Sequence, residues 1–473
     1  MSDSTLDQRW PWLLGAATIV VVFLLATIEQ IESGSAPVDP RPVGTADDIA
    51  RLRERDDVNV LFILIDTLRS DRLGSYGYGR DTSPYLDGLA STGVRFDRHL
   101  SQSSWTKASM TSLWTSVYPW RTGVIQFDQI VPEDAEMPAE ILKRAGFDTI
   151  GLFRNGWVAP TFGFQQGFDI YNRPPHTRLN PGVLVKNPTL RQRGTDEDLT
   201  ASAIEFFRVH QGNRWFLYLH WMDVHEYTFD EESALFGDAY SDVYDNSIRW
   251  VDGTLKIMME HLVDQGYADN TLVFVTSDHG EAFSERGYEG HGRWLYRETT
   301  EVPFILSFPF KLESKVVVKT RSQNVDVWPT IFELIGVDPP AEQDGRSLVP
   351  EIMAAARGEP PPRKERVGYS HLNQNWGQRH RDELRTVALV EGPLRYIRGT
   401  IGKNPIERLF DAASDPKELE DLAKSDPETL ARLRDLMDDQ LGNEELAFGE
   451  VPTREIGEME LNQLRAIGYD VGD

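Results

Sequence analysis

At 473 residues with 40% hydrophobic side chains, the chain can bury an enzyme-sized core, which excludes a wholly disordered protein. Its 75 acidic residues against 49 basic ones, a formal charge of -26, argue against a nucleic-acid partner and leave any anionic substrate to be held by a local site. With no cysteine, the chain has no disulfides, thiolate ligands, Cys nucleophile or lipidated Cys.

In chain order, the first signal is the uncharged run at residues 10–28, WPWLLGAATIVVVFLLATI. It is close to the ~20 apolar residues that span a bilayer as a helix. Trp10 and Trp12 suit the headgroup boundary, and no A-x-A site follows, which favours a retained anchor over a cleaved signal. This predicts a cytoplasmic tail at residues 1–9 and a single-pass membrane protein. Its catalytic bulk would lie outside the cytoplasm, in the periplasm or extracellular space. Residues 29–56, with Ser-Gly-Ser, spaced prolines and the charged Arg51-Leu-Arg-Glu-Arg-Asp-Asp57 run, read as a linker.

From Val58 strands alternate with helices. Val58-Asn-Val-Leu-Phe-Ile-Leu-Ile-Asp66 is an unbroken apolar run ending in a carboxylate, and Thr271-Leu-Val-Phe-Val-Thr276-Ser-Asp278-His279 repeats the pattern. Such runs cannot have one face in water, so both belong in a parallel sheet covered by helices on both sides. Ser83-Pro84 predicts an N-cap and a short helix that Gly93 ends. Residues 147–153, 215–221, 272–276 and 304–308 are strand candidates, and Ile248, Val251, Leu255, Met258 and Leu262 form a helical stripe. Beyond about residue 340, residues 385–390, 394–398 and 409–411 with a helix at 427–441 predict a small antiparallel sheet packed on the main domain.

Open α/β sheets place sites at the carboxyl ends of strands, so Asp66, Asp278 and His279 should meet in one crevice. Two carboxylates and an imidazole suit one divalent ion among Mn, Zn, Ca and Mg, with the histidine favouring Mn or Zn. Between them, Thr106 falls at the N-cap of a helix expected from Lys107 to Ser116, with Met110 and Leu113 facing the core. A hydroxyl there gains from the helix dipole and free backbone N–H groups.

Several ordered motifs carry a resemblance. They are the 58–71 run, Thr82-Ser-Pro-Tyr-Leu-Asp-Gly-Leu-Ala, Thr115-Ser-Val-Tyr-Pro119, Gly163-Phe-Gln-Gln-Gly-Phe-Asp169, Thr276-Ser-Asp-His-Gly-Glu281, Gly290-His-Gly292, Asn324-Val-Asp-Val-Trp-Pro-Thr, Asp344-Gly-Arg-Ser-Leu348 and the closing Leu464-Arg-Ala-Ile-Gly-Tyr469. Together they resemble the sulfatase family of the alkaline phosphatase superfamily. The resemblance implies an α/β fold with a central mixed, mostly parallel sheet flanked by helices and a small C-terminal α+β subdomain. The catalytic domain would cover residues 57–355 and the subdomain residues 356–473.

By that resemblance Asp66, Thr106, Asp278 and His279 hold the metal, His225 and His291 act on the substrate, and Arg293 and Asn155 are further substrate-side residues. The family's Cys or Ser, which becomes formylglycine in a C/S-x-P-x-R pattern, is replaced by Thr106, with Ala108 and Met110 for the proline and arginine. Threonine cannot yield formylglycine, so none is expected. The position resembles instead the phosphoryl-transfer branches of the superfamily. The implied activity is metal-dependent hydrolysis or transfer of phosphate or phosphonate esters through Thr106, on an anionic ester such as a glycan or lipid head group. The alternatives are a sulfuric ester hydrolase of undefined substrate and a degenerate membrane-tethered anion-binding or glycan-binding protein.

Overall fold

The computed structural model describes residues 39–175, 194–210, 212–378, 381–402, 404–442, 445–458 and 461–462. Chain contacts divide at residue 41, and every element named here lies in the unit Pro42–Asp473. Its central sheet has eight strands: β1 (Asn59–Ile65), β2 (Val94–Phe96), β3 (Asp148–Phe153), β4 (Ile170–Asn172), β5 (Trp215–Trp221), β6 (Thr271–Thr276), β7 (Phe304–Ser307) and β8 (Val316–Val318). Their order is β8-β2-β7-β6-β1-β5-β3-β4. All neighbours run parallel except at β7, which is antiparallel to both β2 and β6.

The three central strands β6, β1 and β5 are buried at every residue, as their unbroken apolar runs require. Their alternate side chains feed two different cores. Val60, Phe62 and Leu64 face one, while Leu61, Ile63 and Ile65 face the other. The helices that close these faces include α1 (Ala46–Arg51), α2 (Pro84–Thr92), α3 (Thr106–Thr115), α4 (Asp196–Val209), α5 (Tyr240–Asp264) and α6 (Val327–Ile335). The first core takes Met110, Leu113 and Trp114 of α3 and Trp328 of α6. Phe62 is its centre, stacked on Trp328 at 5.4 Å and tilted against Trp114 at 5.9 Å. The second core takes α2, α4 and the predicted stripe of α5.

A four-stranded antiparallel sheet follows, β9 (Gly368–Asn373), β10 (Arg385–Glu391), β11 (Leu394–Ile401) and β12 (Asn404–Asp411), in sequential order. Leu430, Leu433 and Met437 of α7 (Pro427–Leu441) close it into a third core with Tyr118 and Trp120. The expected mixed, mostly parallel sheet with a small C-terminal α+β subdomain is therefore the fold observed.

Two expectations change. Residues 43–54, within the predicted linker, are built into the fold because Ile49 and Leu52 bury against the first core, and Thr45 N–H donates to Asp48 at 2.8 Å to start α1. The single-pass membrane placement is corrected. Among the described residues no helix is long and apolar enough to cross a membrane, and the run at 10–28 lies outside them.

Capping of α2 shows tertiary packing overriding a local signal. Ser83 is the N-cap as predicted, but its side chain makes no cap bond; it accepts from Gly74 N–H at 3.2 Å instead. Asp252 of α5 does the capping, accepting from Tyr85 N–H at 2.9 Å and Leu86 N–H at 2.8 Å. Asp252→Ala should lower the unfolding free energy by about 0.5–2 kcal/mol in urea titration, as for a lost cap. Burial pushes the Asp252 carboxyl up to about 7. A folded value above the unfolded one gives stability that is fully present below about pH 4 and lost as pH rises through about 7. The stability of wild type relative to Asp252→Asn should therefore increase between about pH 8 and pH 5; a flat difference would contradict the shift.

Candidate active site

The site begins with strand register. β1 pairs in parallel with β6 and β5, with Leu64 opposite Thr276 and Ile65 opposite Trp221, so Asp66 and Asp278 leave neighbouring strands at the same sheet edge. Asp66 N–H donates to Trp221 O at 3.0 Å, and the chain then turns through Thr67 at φ 61°. That is an unusual conformation for a β-branched residue, of order 1–3 kcal/mol in strain. It is held by Tyr244 Oη donating to Thr67 O at 2.8 Å, and it aims Thr67 N–H at Asp278 Oδ1, 3.3 Å away.

Each carboxylate has one oxygen engaged and one bare. Asp66 Oδ2 accepts from Asn155 Nδ2 at 2.6 Å and from His220 Nε2 at 3.0 Å. Asp278 Oδ1 accepts from His279 N–H at 2.9 Å as well as from Thr67. Asp66 Oδ1 and Asp278 Oδ2 are buried and accept no hydrogen bond. His279 Nδ1 lies 3.1 Å from Gly280 O, which makes it the N–H donor and leaves Nε2 with its lone pair facing Asp278 Oδ2 at 3.2 Å and Thr106 Oγ1 at 3.1 Å.

Charge follows from this packing. For Asp66, burial favours the neutral acid, but the hydrogen bond from His220 outweighs it and holds the carboxyl well below its usual range. Burial and the Asp66 charge push Asp278 well above its usual range, as expected for two carboxylates in one cavity. Burial and the neighbouring His291 push His279 well down, to the neutral imidazole that a metal ligand requires. Asp66, Asp278 and His279 offer ligand atoms that all lie within 4.8 Å of one another. Two bare, buried carboxylate oxygens and an imidazole lone pair converging on one point fit a divalent cation, which would supply the partner that both oxygens lack.

Two further imidazoles border the cavity. The His291 ring lies 4.4 Å from that of His279 and 5.1 Å from that of His225. Burial works to lower His291, but Glu281, with Oε1 3.3 Å from His291 Nδ1, outweighs it and raises the ring above its usual value. Burial lowers His225. Glu281 in turn accepts from Tyr227 Oη at 3.1 Å.

Of the predicted site residues, Asp66, Thr106, Asp278, His279 and Asn155 converge at the strand ends, with the His291 ring tilted against His279 and edge-on to His225 beside them. Arg293 is exposed at the rim, near enough for its charge to act on His291. Thr106 is the first residue of α3 rather than its cap, since Trp105 holds the extended N-cap conformation. Sequence reasoning missed His220, Tyr218 and Glu281. His220 had a signal, as the one imidazole inside the apolar run of β5, and Glu281 sits within the quoted Asp-His-Gly-Glu motif.

The fold and site define a class of hydrolase, and comparison with known proteins names it. A family model described as Sulfatase matches residues 58–337, and one described as N-sulphoglucosamine sulphohydrolase, C-terminal, matches residues 285–445. The chain belongs to the sulfatase family. It is 24% identical to an N-acetylgalactosamine-6-O-sulfatase of Bacteroides thetaiotaomicron over 80% of this chain and 92% of that one. It is 23% identical to a Delta 4,5-hexuronate-2-O-sulfatase of the same organism, covering 83% and 90%. Among solved structures, a 2-O GAG sulfatase matches with a TM-score of 0.70 at 20% identity, covering 88% of this chain and 97% of that one. The phosphonate monoester hydrolase of Agrobacterium radiobacter matches with a TM-score of 0.66 at 19% identity, covering 84% and 100%.

Without an ion, Asp278 is held as the neutral acid beside the Asp66 carboxylate, at a cost to stability. Asp278→Asn should therefore raise the melting temperature of chelated protein, and added Mn or Zn should raise that of wild type but not of the variant. A metal-induced shift as large as that of wild type would put the ion elsewhere.

Proposed function

We propose that the chain is a metal-dependent hydrolase or transferase of phosphate or phosphonate esters, with Thr106 as the nucleophile. The carrying observation is the Thr106 hydroxyl, fully buried at the start of α3 and 3.1 Å from His279 Nε2, at the position where the family resemblance places the formylglycine precursor. Formylglycine is an aldehyde made at a primary Cβ, and the extra methyl on the threonine Cβ precludes it. A hydroxyl nucleophile acting directly is the chemistry left to that position.

Asp66, Asp278 and His279, with Thr106, would hold one divalent ion, whose charge would favour the ionised Thr106 hydroxyl and offset charge on the nonbridging oxygens of the ester. Thr106 Oγ1 attacks phosphorus; the Oγ–P bond forms and the bond from phosphorus to the leaving oxygen breaks. The leaving oxygen takes a proton from His291, which Glu281 favours in its protonated form, with His225 beside it to hold the anionic oxygens. Water or an acceptor alcohol then attacks phosphorus from the side the leaving group vacated and gives its proton to His291, now neutral; the Oγ–P bond breaks, and Thr106 leaves as the ionised hydroxyl that attacks the next ester. The backbone N–H groups at the start of α3 favour the anionic group throughout.

A second reading, cleavage of a sulfate ester by the same hydroxyl, is supported by the sulfatase names of the curated relatives. Nitrophenyl phosphate, phosphonate, phosphodiester and sulfate esters assayed on metal-loaded protein separate the two.

Thr106→Ala should lower turnover of the preferred phosphorus ester roughly 10³-fold or more with little change in melting temperature, while Thr106→Ser keeps part of the activity. A trapped phosphoryl group should map by mass spectrometry to the peptide containing Trp105-Thr106-Lys107. Equal turnover in wild type and Thr106→Ala would remove the residue from the mechanism, and turnover of sulfate alone would favour the second reading.

A further inference from the structure

The choice of metal is written in groups that do not touch it. Asp66 Oδ2 is engaged by two N–H donors, and the orientation of each is fixed from behind. His220 Nε2 lies 3.0 Å from Asp66 Oδ2, an acceptor, so that nitrogen carries the proton, and Tyr218 Oη, 2.6 Å from Nδ1, holds the ring in that orientation. Asn155 Oδ1 accepts from Trp157 N–H at 2.8 Å, so its amide cannot flip and Nδ2 stays 2.6 Å from Asp66. His220, Tyr218 and Asn155 are fully buried, which excludes water as a substitute partner. Across the cavity, the Thr67 and His279 N–H groups occupy Asp278 Oδ1 in the same way.

We infer that His220 and Asn155 are positioning residues that set which cation the site takes. By occupying Asp66 Oδ2, they leave each carboxylate a single oxygen and so select manganese or zinc over calcium. The inference rests on the metal reading proposed above. Calcium takes six to eight oxygen ligands and draws on carboxylates in bidentate fashion. Here the pinned oxygens deny it both bidentate contacts, and one of the remaining donors is an imidazole nitrogen, which suits the borderline ions. With His220 or Asn155 removed, Asp66 can turn about its Cβ–Cγ bond and offer both oxygens.

The test is calorimetric titration of the chelated full chain with Mn, Zn and Ca, for wild type, His220→Ala, His220→Gln, Asn155→Ala and Tyr218→Phe, with the melting temperature of each. Wild type should bind Mn and Zn about 100-fold or more tighter than Ca. His220→Ala and Asn155→Ala should weaken Mn and Zn roughly 10–100-fold, the usual effect of losing a group that orients a ligand. Calcium should weaken less or tighten, so that the preference falls about 10-fold or more. His220→Gln, whose amide can still donate to Asp66, should recover much of the preference, and Tyr218→Phe should lose a smaller part of it. Calcium binding wild type as tightly as manganese, or all three ions weakening equally in the variants, overturns the inference and leaves the metal site standing. Failure of wild type to bind any of the three removes the site reading itself.

Discussion

Asp66 and Asp278 are forced together at the ends of adjacent parallel strands, two carboxylates in a cavity closed to water. Left to themselves they cannot both ionise, and the pair divides, one held below and the other pushed above the usual carboxylate range. The surrounding arrangement answers that conflict. N–H donors take one oxygen of each, the strained turn at Thr67 delivers one of those donors, and the two remaining oxygens point at a space that a cation would fill. Core packing requires neither the local strain nor the paired carboxylates, which is what makes these residues the candidate site.

The nucleophile candidate is supplied by an element with no play in it. All ten residues of α3 are buried, Trp114 packs against Phe62, and Ser109 Oγ donates to Asp278 O at 2.6 Å. The helix bearing Thr106 is thus joined directly to the strand end bearing the ligands, which keeps the hydroxyl in register with them. Lys107, next in sequence, turns away to donate to Phe127 O at 2.6 Å and Gln129 O at 2.8 Å, so no cation takes the position of the missing Arg at Met110 through this neighbour.

Two other contacts hold the substrate side. Trp376, from the loop after β9, stacks on Trp105 at 4.6 Å and donates to Gly292 O at 3.1 Å, tying the residue before Thr106 to the residue after His291. Arg154, beside Asn155, is buried among Asp196, Asp223 and Glu226 and joins the ends of β3 and β5 to the start of α4. The -26 net charge would repel an anionic substrate at long range. Attraction must come from the interior, where Arg154 is already paired and His291, raised by Glu281, is the imidazole that favours the charged form.

Much of this was legible in residue order. Unbroken apolar runs can only be strands buried on both faces, which placed β1, β5 and β6, and strand ends in such sheets carry sites, which picked out Asp66, Asp278 and His279. The helical stripe of α5 and the C-terminal sheet with its helix followed from periodicity in the same way. Tertiary structure decided what periodicity does not encode. It set the antiparallel direction of β7, the burial of residues 43–54 and the capping of α2 by Asp252 in place of Ser83. It also brought His220 and Tyr218 to Asp66 from a strand some 150 positions away in sequence. Hydrophobic pattern reports which faces are buried, because burial acts on each residue separately. Hydrogen-bond partners depend on which strands become neighbours, and that is settled only when the sheet assembles.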